Sequence, residues 1–273
     1  MLNRLKKFQN KKILDCIPNP PFIYDPTSFG VSKKYKGEGV KISIISTGVP
    51  SHKDIKNIKL FEVFSPQTKN PDDVFGYSTL LSGIISSNSE QLIGLAPRSE
   101  LFFVKTYNDF GDTSKSSLIS SILWSIIKGV DIITICSEMS YEISILRNAI
   151  SKAYNSNICI FSLAEKKLIS KNDDNENKNI DFVSIYPEIF GVNCSIKDES
   201  ISLLSEGKTS KKNILKTDYY TTFSKDKYIK APSQIAALGI ISSLASLLIE
   251  EKKNDKKEYT PRDIYTSINK VII

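Results

Sequence analysis

Short apolar runs alternate with longer amphipathic ones along most of the chain. Residues 40–46 (VKISIIS) are β-branched and apolar, and Gly39 and Gly48 bound them, which predicts a buried strand. Residues 101–106, 130–136, 157–163 and 190–195 read the same way. The stretch 116–128 instead sets Leu118, Ile119, Ile122, Leu123, Ile126 and Ile127 at helical spacing and stops at Gly129. Residues 80–87, apolar at 80, 81, 84 and 85, and residues 143–155 also predict helices. A nearly all-apolar helix is expected over 234–251, and a short one over 260–270 opens with Thr-Pro.

Strand and helix in turn at this spacing imply βαβ crossovers and a mainly parallel sheet covered on both faces. The expected fold is therefore α/β, a three-layer α/β/α sandwich. A basic arm is expected over 1–29 and one domain over 30–273. The Asn-, Lys- and Asp-rich stretch 170–179 reads as an exposed loop, because strands continue on both sides of it. No internal repeat is visible.

Composition adds exclusions. Of 273 residues, 40% are hydrophobic and 25% charged, which is globular rather than disordered. No stretch approaches the roughly 18 apolar residues that a membrane span needs, so no membrane association is expected. The net charge of +7 comes from lysines grouped at 4–12, 33–36, 166–178, 208–216 and 252–257. They are mixed with acids and lack interleaved aromatics, so they read as solvated loops rather than a nucleic-acid surface. The basic N-terminus has no apolar run behind it, and a cytoplasmic location is expected. Cys16, Cys136, Cys159 and Cys194 form no CxxC pair, so buried reduced thiols are expected in place of a zinc or redox site. The chain holds one histidine, His52, so two-His metal sites are excluded and any histidine mechanism must use it.

Residues 37–49 (GEGVKISIISTGV), followed by His52 to Ile55 (HKDI), resemble the first catalytic strand of the subtilisin-like serine proteases. Residues 94–101 (GLAPRSEL) with Val104 and Lys105, then 122–133, 146–153, 186–192 and 259–264, continue the resemblance in the family's order. It covers roughly residues 30–270. It implies a subtilisin-like α/β/α fold with catalytic groups at the carboxyl ends of the strands.

That chemistry needs a nucleophilic Ser, a His to move its proton, an Asp to orient the His, and donors for the oxyanion. By resemblance Ser46 stands in the Asp position and Tyr77 in the His position. The element containing His52 carries a structural histidine in the family, so His52 is expected at the surface or as a cap. Anchoring on Gly239 puts Ala231 in the Ser position, whereas a slide of two residues offers Ser233, which also reads as a helix N-cap. Glu165 takes the place of the oxyanion Asn.

All four positions depart from the pattern, so the resemblance implies a protease fold without protease chemistry. The expected role is binding a protein or extended peptide partner, such as an active protease or its precursor, along a cleft edged by Ser137, Glu138, Met139, Phe110 and Gly111. Alternatives are an unconventional hydrolase using Ser233 with Tyr77 or Lys230, and a purely structural subunit. Calcium often binds family members, but the stretch between Gly83 and Gly94 has only Glu90 as an acid, so neither metal nor cofactor is expected.

Overall fold

Successive side chains of the central strands enter two different cores, because strand side chains alternate in direction. In β2 (Lys41–Ser46), Ile42 and Ile44 join one core and Ile45 the other. In β5 (Glu100–Lys105), Leu101 and Phe103 separate in the same way from Phe102 and Val104. Helices α1 (Tyr77–Ser86), α4 (Ser233–Asn254) and α5 (Pro261–Val271) cover the first core. Helices α2 (Lys115–Ile127) and α3 (Ser144–Asn155) cover the second. Three layers follow directly from this alternation. The computed structural model describes residues 21–136, 143–164, 186–194, 201–205, 208–212, 219–224 and 226–271.

The other strands are β1 (Phe22–Ile23), β3 (Ile58–Val63), β4 (Leu92–Ile93), β6 (Ile132–Ile135), β7 (Cys159–Leu163) and β8 (Ile189–Cys194). They are joined by β9 (Ile201–Ser205), β10 (Lys208–Lys212), β11 (Tyr220–Phe223) and β12 (Lys227–Lys230). Eight of these form one sheet in the order β10-β9-β8-β7-β6-β2-β5-β3. It is parallel from β3 to β8 and antiparallel at β9 and β10. The mainly parallel α/β architecture agrees with the reading of the sequence.

Several details differ from the pattern. Helix α1 begins at Tyr77 rather than 80, because its polar first turn is set from outside, by Gly76 at a φ of +82° and by Asp73. Strand β3 escapes the periodicity because it is an edge strand that leaves Leu60 and Phe61 exposed. The β11–β12 hairpin escapes it because each strand has only four residues. The fold also reaches back into the expected arm: β1 pairs with β4, and Tyr24 and Phe29 are buried in the first core.

Helix α4 is long and apolar enough to cross a membrane, which corrects the expectation that no stretch reaches that length. Its residues 235–250 are all buried, so its apolarity is that of a central core helix. At Gly239 it crosses α1 so closely that an added Cβ would lie 2.8 Å from the Ile84 side chain.

Gly83 of α1 is confined on the opposite side. A Cβ there would meet the hydroxyls of Thr221 and Thr222 at 2.4 Å and the Thr222 nitrogen at 2.5 Å. Gly→Ala in a helix ordinarily stabilises by up to about 1 kcal/mol. Here overpacking reverses the sign, and Gly83→Ala should destabilise by about 1–3 kcal/mol in urea unfolding. A stabilised variant would show that the hairpin does not rest on α1.

Candidate functional site

The order of the sheet locates a crevice before any side chain is considered. From β2 the chain reaches β5 on one side, through β3 and α1, and then returns through α2 to β6 on the other. Open α/β sheets bind ligands at such a switch point, outside the carboxyl ends of the strands. Ser46, Thr47 and Gly48 stand there.

Gly48 has a φ of +146°, and a Cβ on it would lie 2.4 Å from the Asp72 carbonyl oxygen and 2.7 Å from the Asp73 Cα. Glycine alone lets the 71–73 segment cross the strand end so closely. Val49 N–H donates to the Pro71 carbonyl (2.7 Å) and Asp73 N–H to the Val49 carbonyl (3.2 Å), which fixes the crossing. The Asp73 carboxylate then meets two elements. Its Oδ1 accepts from the Thr47 hydroxyl at 2.5 Å and from Gly76 N–H at 3.0 Å. Its Oδ2 accepts from the N–H and the hydroxyl of Thr79, both at 2.7 Å. A carboxylate here satisfies open donors at the start of α1 and complements its positive end. Sequence reasoning missed Asp73; an acid six residues ahead of Thr79, before a Gly-led helix, was the available signal.

Ser46 is fully buried, and its hydroxyl has no hydrogen-bond partner. Tyr77 opens α1, is 5% exposed and packs in the first core. Beside it, the Ser78 hydroxyl accepts from Gly48 N–H at 3.3 Å, so the end of β2 and the first turn of α1 touch.

The β11–β12 hairpin, which leads into Ala231, packs on the same helix. The Thr221 hydroxyl donates to the Leu80 carbonyl, and the Thr222 hydroxyl to the Thr79 carbonyl at 2.6 Å. Ala231 N–H donates to the Tyr219 carbonyl at 2.7 Å, tying the end of β12 back to the start of β11. Ser233 is the first residue of α4, whose N-cap is Pro232, and it makes no capping bond, which corrects the N-cap expectation. Glu165, Ser137, Glu138 and Met139 lie outside the described residues.

Phe110 is 78% exposed, on a turn in which Asn108 Oδ1 accepts from the N–H groups of Phe110 (3.0 Å) and Asp112 (2.8 Å). Gly111 completes the turn at a φ of +93°. Lys105, 1% exposed, locks this turn to the crossing: its Nζ donates to the Asp72 carbonyl (2.7 Å) and to Asp109 Oδ1 (2.8 Å). The ammonium holds the Asp109 carboxyl below the usual carboxylate range.

His52 belongs to another cluster. It is 3% exposed, which corrects the surface expectation. Its Nδ1 accepts from Asp54 N–H at 3.1 Å, and its Nε2 lies 3.2 Å from the Lys227 carbonyl oxygen. A carbonyl can only accept, so the proton sits on Nε2. Asp54 Oδ2 is 4.0 Å from Nδ1, and it accepts from the Tyr228 hydroxyl at 2.7 Å and the Ser89 hydroxyl at 2.8 Å. Burial, with the Asp54 hydrogen bond, pushes the Tyr228 hydroxyl up to about 12. A catalytic histidine needs Nδ1–H facing its carboxylate and Nε2 facing a nucleophile. His52 has the reverse tautomer and faces a carbonyl.

This cluster is also a poor calcium cage. Hydroxyl protons from Ser89 and Tyr228 point at the Asp54 carboxylate, where a cation would need bare oxygens. No group of three or more His, Cys, Asp or Glu side chains suited to a metal occurs among the described residues.

Comparison with known proteins agrees with this geometry. Residues 37–218 match the family described as Peptidase_S8, the subtilase family; the match ends before Ala231 and Ser233. Subtilisin DY of Bacillus licheniformis is 24% identical over 221 residues, 80% of this chain and 79% of that protein. An intracellular serine protease of Paenibacillus polymyxa is 25% identical over 245 residues, covering 82% and 73%. A subtilisin of Bacillus pumilus is 29% identical over 136 residues, about half of each chain. With its switch-point crevice, its Gly48 strand end and a family match over most of its length, the chain belongs to the subtilase family.

Proposed function

We propose that this chain is a subtilase that does not hydrolyse peptide bonds and instead holds a protein or an extended peptide, such as an active protease or its precursor, at the crevice. One observation carries the reading. The only histidine of the chain has both ring nitrogens engaged, at a carbonyl four residues, or about 13 Å of extended strand, from Ala231. The three positions named by resemblance are Ser46, Tyr77 and Ala231. A neutral hydroxyl at Ser46 cannot stabilise an imidazolium, and tyrosine, with an ordinary pKa of about 10, is a poor base. The tight Gly239–Ile84 crossing favours the register that puts Ala231 in the nucleophile position. Loss of the nucleophile or base of such a triad costs on the order of 10⁶ in kcat.

Ser233 opens α4 without a capping bond, which favours it as the fallback nucleophile. Lys230, the lysine nearest in sequence, is exposed, so it lacks the desolvation that a Ser–Lys dyad requires. Binding needs no triad: an extended peptide can pair with a strand edge while an aromatic anchor fills a pocket. Phe110, exposed on a stiffened turn, is the anchor we assign on this side. The buried free thiol of Cys159 suits a reducing compartment, and we infer a cytoplasmic location.

A fluorophosphonate probe should leave Ser233 unlabelled, and stoichiometric protein should not cleave casein. Labelling or cleavage that disappears in Ser233→Ala would overturn the inactive reading. Phage-displayed peptides selected on the wild type should bind Phe110→Ala at least about fivefold more weakly, as for an anchor worth over 1 kcal/mol. Undiminished binding would remove Phe110 from the site.

Stability tests the separate roles of the crevice residues. Ser46→Ala removes a buried hydroxyl without a partner, so it should be neutral or stabilising by about 1 kcal/mol. Asp73→Ala strips the cap of α1 and should cost about 2 kcal/mol. Urea unfolding of both variants reads the contrast, and a large loss in Ser46→Ala would mean that its hydroxyl is structural.

A further inference from the structure

We propose that His52 is a pH-sensitive latch: as a neutral ring it pins strand β12 of the β11–β12 hairpin to the 52–54 segment, and uptake of one proton loosens β12 together with the 231–233 segment. The inference does not depend on what the crevice binds.

Three segments meet at this ring. Residues 52–54 supply the ring, the Asp54 N–H and the Asp54 carboxylate. Strand β12 supplies the Lys227 carbonyl and Tyr228, whose ring lies 5.2 Å from His52 at 71° and whose hydroxyl donates to Asp54. The 87–92 turn supplies the Ser89 hydroxyl, and its Asn88 N–H donates to the Asp54 carbonyl at 3.1 Å. Strand β12 then leads directly into Ala231, and its partner β11 rests on α1 through Thr221 and Thr222.

The neutral Nε2–H tautomer fits this setting with both nitrogens satisfied. A second proton can go only to Nδ1, where the Asp54 N–H already points. Two donors then face each other at 3.1 Å, and the ring must turn. Because the ring is rigid, turning it also breaks the bond to the Lys227 carbonyl. The nearest carboxylate oxygen for the charged ring is Asp54 Oδ2 at 4.0 Å, which must then share with two hydroxyl donors. Protonation therefore exchanges one of the two side-chain bonds that hold β12, that to the Lys227 carbonyl, for one inside the 52–54 segment, and it weakens the other, because Asp54 Oδ2 must then serve the ring as well as Tyr228.

The charged groups around the ring come from two elements. Asp54 and Lys53 lie on its own segment, and Asp226 lies on the hairpin. Lys53 and Asp226 form an exposed pair at 3.6 Å between the two elements, which water screens. Tyr228 stays neutral across the physiological range, and the 87–92 turn, which also carries Glu90, meets the Asp54 carboxylate through the Ser89 hydroxyl. Burial pushes the His52 pKa down; Asp54, the Lys227 carbonyl and Asp226 oppose that less strongly, and Lys53 reinforces it. The folded ring thus stays neutral where an unfolded one begins to charge, near pH 6.5. Below that pH the unfolded chain binds more protons, so stability falls as pH drops through about 6.5 and levels off only below the depressed folded value.

A single histidine makes the test direct. Imidazole ¹⁵N NMR of the whole protein reports His52 alone. The expected result is an Nε2–H tautomer at pH 8 and a midpoint below 6.5. Amide exchange at Tyr228, Ile229 and Ala231, corrected for its intrinsic pH dependence, should rise between pH 7.5 and 5 by about tenfold per unit of depression. An Nδ1–H tautomer, a midpoint at or above 6.5, or unchanged exchange would overturn the latch.

His52→Gln keeps a donor for the Lys227 carbonyl and an acceptor for Asp54 N–H but cannot titrate, so its hairpin should stay protected at pH 5. Opening equal to wild type would count against the proposal. Should that variant not fold, Tyr228→Phe frees the Asp54 carboxylate to pair with a charged ring, and the His52 midpoint should rise. A midpoint that does not move would overturn the exchange of partners on which the latch depends.

Discussion

The crevice depends on the crossing of residues 71–73 over Gly48. A side chain at Gly48 would occupy the backbone of Asp72 and Asp73, so the crossing exists only because position 48 has none. Once the segment lies there, two charged groups lock it. The Asp73 carboxylate joins the end of β2 to the first turn of α1, and the Lys105 ammonium joins the Asp72 carbonyl to Asp109. A nearly fully buried ammonium is tolerable only when paired, so Lys105 commits both loops to one arrangement.

None of these groups is one of the positions, Ser46, Tyr77 and Ala231, that the resemblance to the family assigns to the reaction. The residues that shape the crevice and those that would react in it are different sets, so the second can change while the first keeps its geometry. The core follows the same logic. Helices approach the sheet and its margin through small hydroxyl side chains that satisfy one another: Ser43 with Ser125 at 2.7 Å, Ser99 with Ser246 at 2.8 Å, and Thr134 with Ser242 at 3.0 Å. Such small, mutually bonded side chains permit close packing without orphaned polar atoms. The buried Ser46 hydroxyl, which has no partner, is the exception at the strand end.

The central strands and long helices were legible because their periodicity reports burial directly. The edge strand β3 and the hairpin β11–β12 were not, since exposed or very short strands carry little alternation. Near the switch point, a strand end at Ser46 and a helix start at Tyr77 could be read from motif spacing. Asp73 could not, because its partners are set by how Gly48 packs. The long apolar stretch of α4 carried no signal of its own location: composition alone does not distinguish the centre of a core from a bilayer.

By itself the sequence determined the two-faced strands, hence three layers, and it determined that one histidine must serve whatever role a histidine has. These are local properties, written in residue order and count. What that histidine does was decided only by tertiary structure. His52 finds Asp54 two residues away but meets Lys227 across 175 residues of chain, and that distant carbonyl fixes its tautomer. A proton's position depends on which acceptor the fold delivers, and no local pattern records that delivery.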